Sequence, residues 1–459
     1  MKLLHTSDWH LGQTLHQHER EAEHARFLAW LLDTLQAEQI DALLVAGDVF
    51  DNTNPSAASQ AMLYRFLAQA RQRVPHLNIV ITAGNHDSPG RLQAPSPLLA
   101  EFGAHVVGTV GNWGAAGAAG VAGGAGSAGN PGNSGDASPD LARLVVPLRN
   151  RAGDVAAWCM AVPFLRPADV PRVEVADSSG TDSKADDAYA AGTHALYAQV
   201  FAHAASLRQP GQAVLAMGHC HLTGGQVSED SERRIVVGGA EALSASLFDP
   251  GIAYVALGHL HLAQTVGGDA TRRYCGSPLP MSFSEIHYPH QVVVVELAGE
   301  AVASVRSVPV PRTVDLLRVP PRPAPLPEVL AALSVLPDVP PDAQPDDLWP
   351  YLQVRVQLTQ PEPGLRAQIE SALAGKAVRL VRIETSLAAS AAAQAASALS
   401  PLTLDELGAL SPTAFFERLY RHRFNDTPPS PELLGAFAEL LVEAGDADTG
   451  AGANQGAKS

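Results

Sequence analysis

Apolar positions along the first ninety residues alternate between two rhythms. Residues 2–7 form a short apolar run that stops at Asp8. From about Arg20 to Ala37, Phe27, Leu28, Leu31, Leu32 and Leu35 recur at the three- and four-residue spacing of one helix face. Residues 40–46 are again a continuous apolar run, ending in Gly47-Asp48. Residues 56–73 return to helical spacing, and 78–83 make a third run ending in Gly84-Asn85-His86-Asp87. Strand, helix, strand, helix, strand predicts a layered α/β fold.

The pattern continues with β runs at 141–148 and 157–163 and a helix at about 187–208. Strands at Val214–Met217 and Tyr254–Leu257 precede two similar tails, Gly218-His219-Cys220-His221 and Gly258-His259-Leu260-His261. Runs 291–298 and 302–310 read as hairpin strands. A Pro-rich linker is expected around 311–327. A compact αβ pattern follows: helix 327–335, strand 351–358, helix 364–374 and strand 377–385. Residues 388–399 read as a linker or weak helix. Residues 403–422 and 431–444 read as two amphipathic helices, with Leu433, Leu434, Phe437, Leu440 and Leu441 at helical spacing on the second. Residues 108–139 carry hardly a large side chain, which predicts a disordered Gly/Ala-rich insertion. The Asp-rich stretch 173–188 is expected to be a second mobile loop.

Composition narrows the function classes. The chain has 459 residues, enough for roughly three units at about 150 residues each. With 46% hydrophobic residues, wholesale disorder is excluded. The balance of 31 basic against 47 acidic residues, a formal −16, counts against a stand-alone nucleic-acid coat protein. It leaves room for an enzyme that meets phosphates through metal ions. Three scattered cysteines, Cys159, Cys220 and Cys275, make neither a disulfide framework nor a zinc knuckle, which suits a reducing cytoplasm. Asp8 stands where a signal peptide needs its apolar run, and no apolar stretch reaches the roughly 18 residues of a membrane span. A soluble, cytoplasmic protein is expected.

Five polar clusters share one position, each directly after a predicted strand: Asp8-Trp9-His10, Gly47-Asp48-Val49-Phe50-Asp51, Gly84-Asn85-His86-Asp87, Gly218-His219 and Gly258-His259-Leu260-His261. Sites in open α/β sheets form at the carboxyl ends of strands, so the five clusters should converge. Their candidate ligands are Asp8, His10, Asp48, Asn85, His219, His259 and His261. One metal rarely takes seven side chains; two metals sharing a carboxylate do, and such pairs are the recurrent solution for phosphoester hydrolysis. Imidazole, carboxylate and amide donors without thiolate point to manganese or iron. Each cluster alone has a bland reading: Gly47-Asp48 as a capping turn, His259 and His261 as surface or core histidines. Five coincidences in order at strand ends decide for the metal site.

The order and wording of these clusters resemble the calcineurin-like metallophosphoesterase superfamily. Within it, Ser7 to Gly12, Arg20 to His24, Ala46 to Asp51, Ala83 to Ser88, Leu257 to His261 and Tyr274 to Phe283 resemble the SbcD family, the nuclease components of bacterial SbcCD complexes. The resemblance covers roughly the first 300 residues, without the Gly/Ala-rich insertion. It implies a metallophosphoesterase β-sandwich flanked by helices (residues 1–312), a smaller α+β capping domain (313–387) and C-terminal helices (400–446) that dock on an ATPase partner. It assigns one metal to Asp8, His10, Asp48 and His261 and the other to Asp48, Asn85, His219 and His259, with Asp48 bridging. The two divalent ions are expected to be Mn2+. His86 is implied as the catalytic residue, meeting the phosphate and assisting the leaving oxygen. The implied partners are an SbcC-type coiled-coil ATPase, double-stranded DNA ends and hairpins, and a second copy, making a homodimer within a heterotetramer; no membrane is involved.

Other residues receive plainer readings. Asp87 and Asp51 are expected to tie loops down, with any further role for Asp51 left open. His221 is expected to be a bystander, Cys220 a small buried residue, and His16, His18 and His24 ordinary surface histidines. Arg91 is expected to be solvated. Two other functions share parts of this pattern: a small-molecule phosphodiesterase with the same site, and a non-catalytic scaffold, against which the intact ligand set argues.

Overall fold

The structure, a computed structural model, describes residues 1–111, 140–171, 173, 181–228, 242–341, 348–360, 362–387, 412–423, 427–431, 433–435 and 437–438. Of the expected insertion, residues 112–139 lie outside the described residues, as do 388–411 and the chain beyond 438. Contacts divide the chain into two units: Met1–Leu317, Pro340–Leu352 and Ala377–Val381, and Arg318–Val339, Gln353–Lys376 and Arg382–Ser459.

The first unit opens with β1 (Lys2–Thr6), a short hairpin of β2 (Thr14–Leu15) and β3 (His18–Glu19), and α1 (Glu21–Ala37). It continues through β4 (Ala42–Ala46), α2 (Ala57–Arg73), β5 (Asn78–Thr82), α3 (Pro89–Gln93), α4 (Ser96–Ala100) and β6 (Ala104–Val107). After the insertion come α5 (Leu141–Leu144), β7 (Val145–Arg149), β8 (Val155–Ala161), α6 (Thr181–Leu207), β9 (Ala213–His219) and β10 (Tyr254–Gly258). It closes with β11 (Gln264–Val266), β12 (Asp269–Tyr274), β13 (Gln291–Ala298) and β14 (Ala301–Pro309).

These strands build two six-stranded sheets, ordered β14-β13-β1-β4-β5-β6 and β11-β12-β10-β9-β8-β7. Strands β1, β4, β5 and β6 are parallel, as are β8, β9, β10 and β12. Central parallel strands are covered on both faces and read as unbroken apolar runs. Strand β4, with every residue buried, is one. Alternation decides which layer each side chain enters. Leu3, Leu44, Ala46 and Val80 join Leu215, Val255 and Leu257 in a core shared by the two sheets. Leu4, Leu43, Val45, Ile79 and Ile81 face the other way, against Phe27, Leu31 and Leu35 of α1 and Leu63 and Phe66 of α2. The second sheet is covered by α6 through Leu196, Tyr197, Val200 and Ala204. Buried His5 ties the two sheets: one ring nitrogen lies 2.9 Å from Tyr254 Oη and the other 3.1 Å from Leu257 O. Burial and the Arg273 charge push its pKa down to about 3, so the ring is neutral.

The second unit carries most of a three-stranded sheet of β15 (Leu316–Pro325), β16 (Tyr351–Leu358) and β17 (Arg379–Leu387), in that order. Between its strands run α7 (Leu326–Ser334) and α8 (Leu365–Ala372). Among the described residues of this unit, Val329, Leu333, Val354, Val356 and Ile369 are fully buried apolar residues. Gln353 donates to Glu384 at 2.9 Å, and Arg355 reaches Pro321 O at 2.8 Å and Glu384 at 3.3 Å. Helix α9 (Pro412–Arg423) stacks Phe416 on Phe437, ring centroids 4.1 Å apart.

Three sequence expectations are corrected. Residues 141–144 form a helical turn capped by Asp140, and the strand begins only at Val145. The helix expected from about 187 begins at Thr181, inside the stretch read as a mobile loop. The Pro-rich linker holds ten-residue β15, which lies at a sheet edge, where proline's missing N–H costs no ladder bond. Among the described residues, no helix is long and apolar enough to cross a membrane.

Candidate metal centre

Asp8 and His10 follow β1, Asp48 follows β4, Asn85 and His86 follow β5, His219 ends β9, and His259 and His261 follow β10. The five strand ends meet at one edge of the sandwich. Donor atoms of Asp8, His10 and His261 lie within 4.8 Å of one another, as do those of Asp8, Asp48 and His219. Asn85 Oδ1 is 3.0 Å from His219 Nε2 and 3.2 Å from His259 Nδ1. Asp48 stands between the groups: its Oδ2 is 3.7 Å from His10 Nε2 and 3.3 Å from His219 Nε2. All seven residues singled out as ligands are thus brought together.

The backbone bends hard to achieve this. Asp8 (φ 53°), His10 (φ 46°), Asp48 (φ 48°) and His259 (φ 99°) all occupy the left-handed region. Non-glycine residues there store strain of about 1–3 kcal/mol each, and such residues cluster at functional sites. A net of bonds holds them. Asp8 N donates to Gly47 O and His10 N to Asp48 O, each at 3.0 Å. His259 N donates to Asp8 Oδ1 at 3.0 Å, and His86 N donates to Asp48 Oδ1 at 2.8 Å. Asp87 accepts from Val49 N (3.1 Å), Phe50 N (2.9 Å) and Gly84 N (2.9 Å), fastening two ligand loops together. Close approach requires glycine at two points: a Cβ on Gly84 would lie 2.1 Å from Asp48 Oδ1, and one on Gly258 would lie 1.9 Å from Ala46 O.

Burial and neighbouring charges shift the titratable groups of the cluster in both directions. Burial opposes charge on His219, but the Asp48 carboxylate outweighs it and raises the imidazole to about 9. Burial likewise opposes charge on Asp48, yet the His219 charge and hydrogen bond hold its carboxyl well below the ordinary range. Burial raises Asp8. Burial and the Asp48 charge push Asp87 up to about 6. Burial and the neighbouring His219 charge hold His259 well below its ordinary value. The test of fit is His10: both ring nitrogens are buried and make no hydrogen bond among the described residues. A buried, unsatisfied donor or acceptor calls for a partner, and a cation among oxygen and nitrogen donors supplies one.

His86 lies at the rim of the cluster, its ring centroid 4.7 Å from that of His10. Its Nδ1 is 2.7 Å from Asp51 O; a carbonyl can only accept, so this contact fixes the Nδ1–H tautomer. The Asp51 carboxylate is 3.5 Å from His10 Nδ1. His221 has Nε2 3.4 Å from Gly225 O and lies close enough for its charge to act on His259, and Cys220 is half-buried. Arg91 is exposed and donates to Asn54 Oδ1 at 2.7 Å, His16 is exposed, and His18 is half-buried. His24 corrects its surface reading. It is fully buried, with one ring nitrogen 3.0 Å from Arg20 O and the other 3.1 Å from Trp9 O. Burial and the Arg20 charge lower its pKa to about 4. One residue escaped sequence reasoning: Glu285, fully buried, has Oε1 2.8 Å from His261 Nδ1. Twenty-four positions separate the two, and no spacing rule connects them.

Comparison with known proteins identifies the family. Residues 1–263 match the model of calcineurin-like phosphoesterases, and residues 312–424 match a domain described as the type 5 capsule protein repressor C-terminal domain. The chain is 40% identical over 412 residues to the SbcD component of the SbcCD nuclease of Rhodobacter capsulatus, covering 88% of this chain and 93% of the relative. The SbcD protein of Escherichia coli K12 is 34% identical over 68% of this chain and 69% of its own. That of Bacillus subtilis is 35% identical over 64% and 66%.

Proposed function

The chain belongs to the calcineurin-like phosphoesterases and, within them, to the SbcD nucleases; from that premise we propose that it is the metal-dependent nuclease component of an SbcCD-type complex, cleaving DNA phosphodiester bonds in repair and recombination. The observation that carries the reading is Asp48 standing between two groups of donors at five strand ends, with His10 buried and unsatisfied beside it. One ion would be held by Asp8, His10, Asp48 and His261 and the other by Asp48, Asn85, His219 and His259. The mixed oxygen and nitrogen donor set favours Mn2+. When bound, such a pair supplies Lewis-acid polarisation of the phosphate, activation of the attacking water and charge neutralisation on the entering and leaving oxygens.

The chain's own residues do the rest. Asp87 clamps the Asp48 and Asn85 loops in register. His86, donating to Asp51 O through Nδ1–H, is the catalytic residue that meets the phosphate and, as the doubly protonated imidazolium, gives its Nε2 proton to the leaving oxygen. Residues 1–312 would act as the nuclease domain, 313–387 as a capping domain and 400–446 as helices docking on the coiled coil of an SbcC-type ATPase. Two copies would form a homodimer within a heterotetramer that acts on double-stranded ends and hairpins in the cytoplasm. The match over residues 312–424 favours this over a small-molecule phosphodiesterase.

The test is Mn2+-dependent cleavage of hairpin DNA with and without the ATPase partner. Cleavage that needs Mn2+ and is stimulated by partner and ATP is expected. Hydrolysis of small phosphodiesters with no cleavage of DNA under either condition would overturn the proposal.

A further inference from the structure

Glu285 is a carboxylate with no exposure to water, at the end of a short helical turn, Phe283–Glu285. Buried carboxylates are costly unless their oxygens are engaged. Oε2 accepts from Met281 N at 2.7 Å, and Oε1 lies 2.8 Å from His261 Nδ1. The segment leading into Glu285 is anchored at two points before it. Ser277 N donates to His261 O at 3.1 Å. Buried Arg20, itself paired with Glu23, donates to Pro280 O at 2.8 Å. The carboxylate is therefore held against the imidazole by fixed backbone. His219 differs: its Nδ1 faces a backbone carbonyl, Ala46 O, at 2.9 Å.

We propose that Glu285 is a positioning residue for the metal centre: it accepts the Nδ1 proton of His261, fixes that tautomer and ring orientation, and places the imidazole lone pair on Nε2, toward Asp8 and His10. A carboxylate behind a ligating histidine raises ligand basicity as well as aiming the ring, and losing it typically costs about 10- to 100-fold in metal affinity. The ion held by Asp8, His10, Asp48 and His261 should depend on Glu285 more than the ion held by Asn85, His219 and His259. This rests on His261 being a ligand.

The experiment separates the two claims. Mn2+ is titrated calorimetrically into the full-length metal-free protein and its His261→Ala, Glu285→Ala and Glu285→Gln variants, and circular dichroism follows thermal unfolding of each. Glutamine keeps the volume but turns one terminal atom into a donor, so it cannot accept from both His261 and Met281. Expected are two ions in the wild type, loss of one in His261→Ala, and in both Glu285 variants a roughly 10- to 100-fold weakening of one ion with the other unchanged. Should Glu285→Ala fail to fold, the isosteric Gln variant carries the test. Two ions at wild-type affinity in His261→Ala would overturn the ligand assignment. Loss of an ion there, with wild-type binding in the Glu285 variants, would overturn the role of Glu285 alone. Equal weakening of both ions with a lowered unfolding temperature would make Glu285 structural and overturn it too.

Discussion

Asp48 Oδ2 lies 3.3 Å from His219 Nε2, in a pair almost completely shielded from solvent. The folded pKa of His219 is raised from 6.5 to about 9, so its contribution to stability is complete below 6.5 and is lost as pH rises through about 9. That of Asp48 is depressed below 3.8, so its contribution is present above 3.8 and is lost only as pH falls below it. The metal-free protein should therefore lose thermal stability steadily from pH 6.5 through about 9. His219→Asn should flatten that decline. Unfolding temperatures in chelator across roughly pH 5–10 check this, and a wild-type profile flat over the window would contradict it. Ligands must be deprotonated, so metal binding at neutral pH should also release a proton, read as buffer-dependent binding heat.

Asp48→Ala should remove both ions and all nuclease activity together, because the carboxylate faces both donor groups. Metal analysis alongside a cleavage assay checks this. Mn2+-dependent cleavage by the variant would break the two-ion assignment.

His86→Ala should lower turnover by about 100- to 10,000-fold, the usual range for a lost general acid or base, while two ions stay bound. Donor atoms of His86, His10 and Asp48 do lie within 4.8 Å of one another, so stoichiometry is the discriminating readout. A missing ion would make His86 a ligand.

Asp87→Ala should destabilise the metal-free protein by about 3 kcal/mol, since three buried backbone donors lose their acceptor. Urea unfolding measures it. A change well under about 1 kcal/mol would mean the loops hold without the clamp.

His221→Ala should leave cleavage within about twofold of wild type, as expected of a substitution away from catalytic contacts. A collapse in activity would show that the second histidine of Gly218-His219-Cys220-His221 acts in the site.

How much of this was legible beforehand depends on range. The strand ends bearing Asp8, Asp48, Asn85 and His259 could be read because buried parallel strands leave unbroken apolar runs and glycine marks the tight approaches. Proline-rich β15 was missed because its edge position, which makes proline tolerable, is a property of the sheet. His24 looked like a surface residue because nothing local says that Trp9 O would cover its ring. Glu285 was invisible for the same reason: its partner, His261, belongs to a different strand end.

The bond from His259 N to the Asp8 carboxylate spans 251 positions of sequence. Nearly the whole first unit must therefore be synthesised before that contact can form. Bringing distant segments together is slow, because loop-closure entropy is lost before the contact repays it. The donors at β1 and β4 adjoin in the first sheet, but His219, His259 and His261 arrive only when β9 and β10 dock. A nascent or truncated chain lacking β10 would therefore lack His259 and His261, and with them the proposed donors that only this strand brings in.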